Sequence, residues 1–476
     1  MATDPAQILD SPEAVLSTLT REGKRRWMYP TPSKGRYYWP RLIVGWVLIS
    51  LFVALPLVRI NGSPAILLDL IQWEFHLFGA TFYPTDTFLL MLLMLATAIG
   101  IIAVSALLGR VWCGWACPQT VYMEFLYRPI ERWIEGSEHT RKRRDENRWT
   151  FDRSWRKAAK FSVFLIVSLV LAHSFVAYFV GWDRLLHWMT QPPTEQWGYF
   201  LFMAITTGLV LFDFGYFREQ MCTITCPYAR FQSVLLDPDS LIVSYDPGRG
   251  EPRARRSKKV LRDEEAGIVE SRGDCIDCFA CVRTCPTGID IRDGLQMECI
   301  ACTACIDACD AIMDRIEKPR GLIRYTSEHG LDGKRTRLLR PRTAVYSALL
   351  LIIAGAFVAA TSSRATFDVD LGRAAGAPFV ELPDGEIANR LRFRVRNQGR
   401  EHVSFEVTTV SPEMAEVRLV GVPPIELGPE QMTRIEAWIV FPREELVEGQ
   451  VDGQFALRFS DGNTTYHRFP LLGPTE

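Results

Sequence analysis

The last 167 residues, 310–476, contain no cysteine, and all twelve cysteines lie between Cys113 and Cys309. A disulfide framework is not confined to one stretch in this way, so metal ligation becomes the better explanation of the thiols. Histidine is scarce as well. Of seven, only His173 lies deep in an apolar run, which argues against a haem held by two histidines inside a membrane. His76 and His187 fall in connections between such runs, where an interfacial position without a ligand role is the plainer reading. The first 40 residues are polar, and the basic "KRRW" comes just before the first apolar run, so no cleavable leader is expected. Positive charge is missing from two connections: 61–87 has no lysine or arginine, and 182–198 has only Arg184.

What is present is long apolar sequence. Five runs, roughly 42–60, 88–109, 160–181, 199–217 and 343–361, approach or exceed the length of about 20 residues that a bilayer requires. "TFLLMLLMLATAIGIIAVSALLG" has no polar face, which a helix on the surface of a soluble protein would have. Hydrophobic residues make up 48% of the chain while charged residues still reach 23%, the mixture expected of a membrane protein with sizeable soluble parts. Lysine and arginine collect in 110–159 and 218–342, including "RARRSKK" at 253–259. The positive-inside rule then places the N-terminus and both basic segments in the cytoplasm, and five spans put 362–476 outside, in the periplasm of a bacterium. Beside a membrane span, "RARRSKK" reads as a topology signal meeting anionic lipid, and no nucleic-acid partner is expected.

Eight cysteines fall into two runs. Cys275, Cys278, Cys281 and Cys285, followed by Pro286, have the spacing C-x2-C-x2-C-x3-C-P, and Cys299, Cys302, Cys305 and Cys309 repeat it. This is the bacterial ferredoxin pattern for cubane [4Fe–4S] clusters, in which the fourth cysteine of each run reaches the other cluster. Cys275, Cys278, Cys281 and Cys309 are therefore expected on one cluster, and Cys299, Cys302, Cys305 and Cys285 on the second. Zinc, the alternative for C-x2-C pairs, usually takes two separated pairs and not two runs of four. Asp310 stands where the second run would have its proline, which alters packing without removing a ligand.

The other four cysteines form two pairs. Cys113-x3-Cys117-Pro118 follows the second apolar run and Cys222-x3-Cys226-Pro227 follows the fourth. Each two-helix hairpin thus ends in the same signature on the same side, an internal parallel repeat. Proline suits the first turn of a helix, so Pro118 and Pro227 are expected to open interfacial helices. Cys117 and Cys226 would then sit at helix starts, where the dipole favours thiolate. Four converging thiolates select Cu(I), Zn or an iron–sulfur cluster. Asp213, near the inner end of the fourth run, is a weaker candidate as an intramembrane charge.

Beyond the fifth run the texture alternates. "LRFRVRNQG", "HVSFEVTTV", "AEVRLVGV", "TRIEAWIVFP" and "FALRFSDGNTTYHRFPLL" read as strands with one buried face, the last with an Asp461-Gly462-Asn463 hairpin turn. An immunoglobulin-like β-sandwich without disulfide is expected, with docking of a partner as its default role. The expected organisation is a tail at 1–40, a four-span core at 41–235, a ferredoxin-like insert at 236–342, a fifth span at 343–362 and the sandwich at 363–476.

In this combination the chain resembles the cytochrome c oxidase accessory proteins known as FixG, RdxA and CcoG, and its C-x3-C-P hairpins resemble those of NapH- and NosR-type membrane proteins. The resemblance implies a cupric reductase, Cu(II) to Cu(I), in copper delivery to and assembly of cbb-type oxidases. It implies two [4Fe–4S] clusters as cofactors, copper as substrate or transient ligand held by Cys113, Cys117, Cys222 and Cys226, and a multi-pass protein of the bacterial inner membrane. Expected partners are a cytoplasmic electron donor, copper chaperones and oxidase assembly factors, with a homodimer left open. Two other readings stay open: a quinol- or quinone-linked membrane oxidoreductase, and a non-catalytic assembly scaffold.

Overall fold

The computed structural model describes residues 17–19, 24–60, 62–83, 86–146, 150–253, 273–337, 339–399, 401–420, 424–429 and 431–475. Residues 254–259 of the basic run and the first 16 residues of the tail lie outside them. Two compact units are formed, Met1–Phe357 and Val358–Glu476.

Among the described residues five helices are long and apolar enough to cross a membrane: Tyr38–Leu57, Thr87–Leu108, Phe151–Val180, Trp197–Phe217 and Pro341–Ser362. Each follows one of the five apolar runs. Ile43, Met94, Ile166, Leu209 and Leu351 are exposed on them, as suits helices whose backbone groups bond internally and whose side chains meet lipid. The third helix starts at Phe151, well before its apolar run at 160. Thr150 caps it by accepting the Arg153 N–H at 3.3 Å, and Lys157 and Lys160 reach the Glu135 carboxylate at 3.3 and 3.2 Å. Paired charges thus carry the helix beyond the hydrocarbon-compatible stretch.

The insert between the fourth and fifth spans is bracketed by antiparallel strands Ile242–Tyr245 and Ile323–Thr326. Between them, helices Ala280–Thr284 and Ala304–Arg315 each follow the first three-cysteine loop of a motif or overlap its end. The two helices differ in length for a local reason. Cys285-Pro286 ends the first, because the residue before proline avoids the α region. Asp310 lets the second run on to Arg315, and its Oδ1 accepts the Gly321 N–H at 2.9 Å.

The segment before the first span is bound to this insert. Thr31 N–H donates to Arg283 O at 3.0 Å, and Ser33 Oγ donates to Ala304 O at 2.9 Å. The Asp307 carboxylate accepts the N–H groups of Tyr37 and Tyr38 at 3.1 and 2.9 Å. Polarity alone marked this stretch as a tail; its hydrogen bonds make it a strap. The connection after the first span also holds strands not expected from its composition, Ile66–Asp69, Glu74–Leu77 and Ala80–Phe82 in one antiparallel sheet.

The second unit contains the immunoglobulin-like sandwich. One sheet orders Glu416–Leu419, Met432–Pro442, Glu386–Asn397 and Phe367–Arg373, with Val380–Glu381 also on Glu386–Asn397; the other orders Ile425–Leu427, Val403–Ser411, Gln450–Phe459 and Thr464–Leu472. Alternate residues from both sheets, among them Leu391, Phe393, Ile439, Phe405, Phe455 and Leu457, fill one core. The hairpin turn forms at 460–463, where Asp461 Oδ1 accepts the Asn463 N–H at 3.0 Å. Phe367–Arg373, Val380–Glu381 and Ile425–Leu427 were not expected; two of them are only two or three residues long.

Candidate metal centres

The two C-x3-C-P motifs repeat one backbone device. Pro118 opens the helix Pro118–Tyr122 and Pro227 opens Pro227–Leu235, with Cys117 and Cys226 as extended N-cap residues. Before each cap the chain makes a wide turn: the Cys117 N–H donates to Trp112 O and the Cys226 N–H to Met221 O, both at 2.8 Å and both five residues back. Four residues before the first cysteine of each pair stand Gly109, at φ 60° and ψ −132°, and Arg218, at φ 56° and ψ −120°. Glycine is needed at the first, where a Cβ would meet Leu241 O at 2.2 Å. Arginine accepts the same left-handed φ at the second, held by two hydrogen bonds to Glu131 at 2.8 and 3.1 Å.

The four thiols share one neighbourhood. Cys113 is buried, and Cys117, Cys222 and Cys226 are half-buried. Burial pushes the Cys222 thiol up to about 12, and Cys117, Cys113 and Cys226 push the same way. Cys113 is pushed up by burial to about 11, against the opposing charge of Arg110. For Cys117 the dipole expectation is corrected: the N–H groups of Gln119 and Thr120 favour the thiolate, but burial outweighs them and the thiol is raised. The helix that Pro118 opens runs on through a π turn at Met123–Tyr127 to Glu135, so its start does favour the thiolate, but desolvation of the sulfur costs more than those N–H groups return. Gln232 Oε1 accepts the Cys113 thiol at 3.0 Å, and Gln232 Nε2 donates to Ser105 Oγ at 3.1 Å. Asp213 accepts from Gln119 Nε2 at 3.2 Å, and Gln119 also donates to Arg218 O at 3.0 Å. Asp213 therefore braces one half of the repeat against the other.

The ferredoxin motifs repeat a second device. Asp277 and Phe279, which flank Cys278, have φ of 51° and 56°; Ala301 and Thr303, which flank Cys302, have 51° and 62°. Alternating hands in this way turn successive N–H groups inward, the concavity that suits anionic iron–sulfur centres. Cys275, Cys278, Cys281 and Cys309 line one space of about 350 Å³ between atoms. Cys285, Cys299, Cys302 and Cys305 line a second of about 340 Å³, which Cys281 also borders. Among the described residues no three His, Cys, Asp or Glu side chains stand close enough to hold a single metal ion. A zinc ion draws its thiolates to about 2.3 Å, whereas a cubane spreads them over its corners. Four thiols around each of two spaces therefore fit clusters and not zinc. The four C-x3-C-P thiols likewise form no closed single-ion site in this arrangement.

The two sets of cysteines touch. Cys113, Ile300 and Cys302 pack in one cluster of buried side chains, with Cys222, Tyr228 and Ala304 against it. Arg41 Nε donates to Gly114 O at 3.1 Å, tying the first span to the same point. Arg41, Arg110, Gln119, Gln232 and Asp307 carry no motif and were not expected at the site. The sequence signal available for Arg41 and Arg110 is a charge at the edge of an apolar run. His76, His173 and His187 lie apart from it: His76 bonds Thr81, His173 the Leu169 carbonyl, and His187 Gln191.

Comparison with known proteins agrees with this geometry. Residues 217–328 match a 4Fe-4S dicluster domain and 90–136 a 4Fe-4S binding domain. Residues 357–474 match the IG-like fold at the C-terminal of FixG. Protein RdxA of Cereibacter sphaeroides is 36% identical over 379 residues, 76% of this chain and 78% of that protein. The chain belongs to the FixG/Rdx family. Within it, Protein RdxB of the same organism is 33% identical over 432 residues, 87% of this chain and 88% of that protein. The nitrogen fixation protein FixG of Rhizobium meliloti is 29% identical over 471 residues, 90% of this chain and 88% of that protein. This FixG/Rdx-type chain is accordingly a multi-pass membrane iron–sulfur protein of electron transfer, oxidoreductase-like, with an immunoglobulin-like C-terminal domain.

Proposed function

We propose that this protein is a cupric reductase that converts Cu(II) to Cu(I) for the assembly of cbb-type cytochrome c oxidase. In this reading Cys275, Cys278, Cys281 and Cys309 hold one [4Fe–4S] cluster, and Cys285, Cys299, Cys302 and Cys305 hold the other. Bound there, the clusters supply single electrons. Cys113, Cys117, Cys222 and Cys226 hold copper, the substrate, and their thiolates favour Cu(I) over Cu(II). Reduction of one Cu(II) takes one electron and no proton, so no general acid is required. Gln232 orients the Cys113 thiol and Gln119 ties the two halves of the repeat; in this reading the two pairs draw together when the ion binds. The N-terminus, the four-span core's C-x3-C-P ends and the 236–342 insert face the cytoplasm, and the 363–476 sandwich stands in the periplasm as the docking surface for assembly partners.

What supports the reading is the packing of Cys113 and Cys222 against Ile300 and Cys302, which leaves little distance between the two chemistries. The test is bound Cu(I) and Cu(II) reduction in Cys117→Ser, Cys226→Ser and the double variant. Each single change should remove most of both, the double little more, and iron should stay at the parent level, because residues acting on one centre are non-additive. Unchanged copper handling in all three refutes the copper site. A second reading is favoured by the match of 90–136 to a 4Fe-4S binding domain: the four thiols hold a third cluster. Anaerobic protein then contains about twelve iron per chain in place of about eight, and the same Cys→Ser changes lower it.

A further inference from the structure

Beneath the end of the second span lies a cavity that none of this chemistry uses. Its cavity volume is about 310 Å³. Its walls are mainly apolar, with Val234, Leu236, Ile242, Val243, Leu295 and Met297 prominent. Val234 is 81% exposed and Met297 60%, and Leu295 and nearby Phe231 are exposed as well. Exposed apolar side chains around an apolar opening suit lipid and are costly in water. The position agrees: the helix Pro227–Leu235 packs on the second span, and the Leu241 N–H donates to Leu107 O at 3.3 Å, level with the end of that span.

Besides Gln296, whose Nε2 donates to Asp290 O, two polar features stand in the wall. Arg110 is 5% exposed. It donates from Nη1 to Met297 O and its charge stands beside the Cys113 and Cys299 thiols, while Nε and Nη2 are buried with no oxygen or nitrogen acceptor. A buried donor left unmade costs about 1–3 kcal/mol, more for a charged group, so a guanidinium in an apolar wall points to a ligand bearing acceptor oxygens. The second feature is Cys299, placed above on an iron–sulfur cluster. A ligand here has an apolar body open to the bilayer, ring oxygens for Arg110 and an edge beside a redox centre.

We propose that this cavity binds a membrane-soluble quinol and is a point of electron entry. Oxidation of one quinol to quinone releases two electrons and two protons; the two iron–sulfur clusters take one electron each, and the protons pass to water at the membrane surface. The tail stays in lipid while the ring enters between Arg110 and Cys299. The proposal rests on the cluster assignment and is independent of the copper reading.

The experiment uses full-length, cluster-loaded protein in detergent with an azido-quinone photoprobe and a decyl-quinol. Labelling is expected on peptides containing 110, 234–243 or 295–301, and excess decyl-quinone should compete it away. Val234→Trp and Met297→Trp, which fill the mouth, should each lower labelling at least about tenfold with iron and sulfide unchanged, in keeping with loss of apolar cavity contacts. Anaerobic decyl-quinol should bleach the visible cluster absorption of the parent and not of the filled variants. Labelling that maps elsewhere in the parent, or that persists in both tryptophan variants, overturns the site. Competed labelling of these peptides without bleaching by decyl-quinol upholds the site as a quinone pocket and overturns electron entry there.

Discussion

Gly114 lies against the backbone of Ala301: a Cβ on Gly114 would stand 2.6 Å from the carbonyl oxygens of both Ala301 and Ile300. The first C-x3-C pair and the second ferredoxin motif therefore meet backbone to backbone, with no side chain to yield. Gly114→Ala should push the membrane hairpin and the insert apart. Displacement by about 1 Å costs on the order of a hundredfold where geometry limits rate. Cu(II) reduction followed by stopped flow should slow by roughly that factor with iron and sulfide retained. A rate equal to the parent's would show that this contact does not set the path between the two sites.

Glu131 is the acidic centre of a buried charge network. Burial by itself would raise its carboxyl, but Arg218, Arg141 and Lys160 together hold it down at about 2, against an ordinary 4.5. Glu135 shares Lys160, and Glu219 shares Arg218. A depressed carboxylate contributes stability that is present in full above about 4.5 and lost as pH falls toward 2. Glu131→Gln leaves Arg218 buried, left-handed and short of its partner, and should cost about 3–5 kcal/mol. Thermal unfolding of the detergent-solubilised protein should show that loss at pH 7 and a weaker decline in stability than the parent's between pH 4.5 and 3. An unchanged midpoint at pH 7 would show that the pairing is energetically neutral.

Asp310 permits the helix Ala304–Arg315 to continue past Cys309. Asp310→Pro breaks that helix, at about 3 kcal/mol or more, and removes the acceptor for the Gly321 N–H. Iron content after anaerobic purification should fall, and the unfolding midpoint with it. Asp310→Asn keeps an acceptor oxygen and should hold its iron. Equal iron in the proline variant would mean that the helix beyond Cys309 is dispensable for the site.

The proposed sidedness is open to digestion. Protease added to spheroplasts should clip within 362–476 and spare the insert; in inverted vesicles the insert should be cut first. The opposite pattern reverses the topology.

The sequence by itself determined whatever depends on local spacing or period. Apolar runs of bilayer length gave the five helices, because hydrocarbon leaves no other way to satisfy the backbone. Cysteine intervals picked out the two ferredoxin loops, and alternation gave the long strands around Leu391, Phe405 and Leu457. Proline after Cys117 and Cys226 marked two helix starts, since its fixed φ acts within one turn. Tertiary structure alone decided what lies between distant segments. Asp307 binds the backbone of Tyr37 and Tyr38 across some 270 positions, and no pattern near either end announces it. The shared backbone of Gly109 and Arg218 was hidden because the two side chains have nothing in common. Burial raises the Cys117 thiol although its helix start argues for a thiolate, because desolvation is set by every segment packed around the sulfur, whereas a helix terminus acts only through the N–H groups of its first turn.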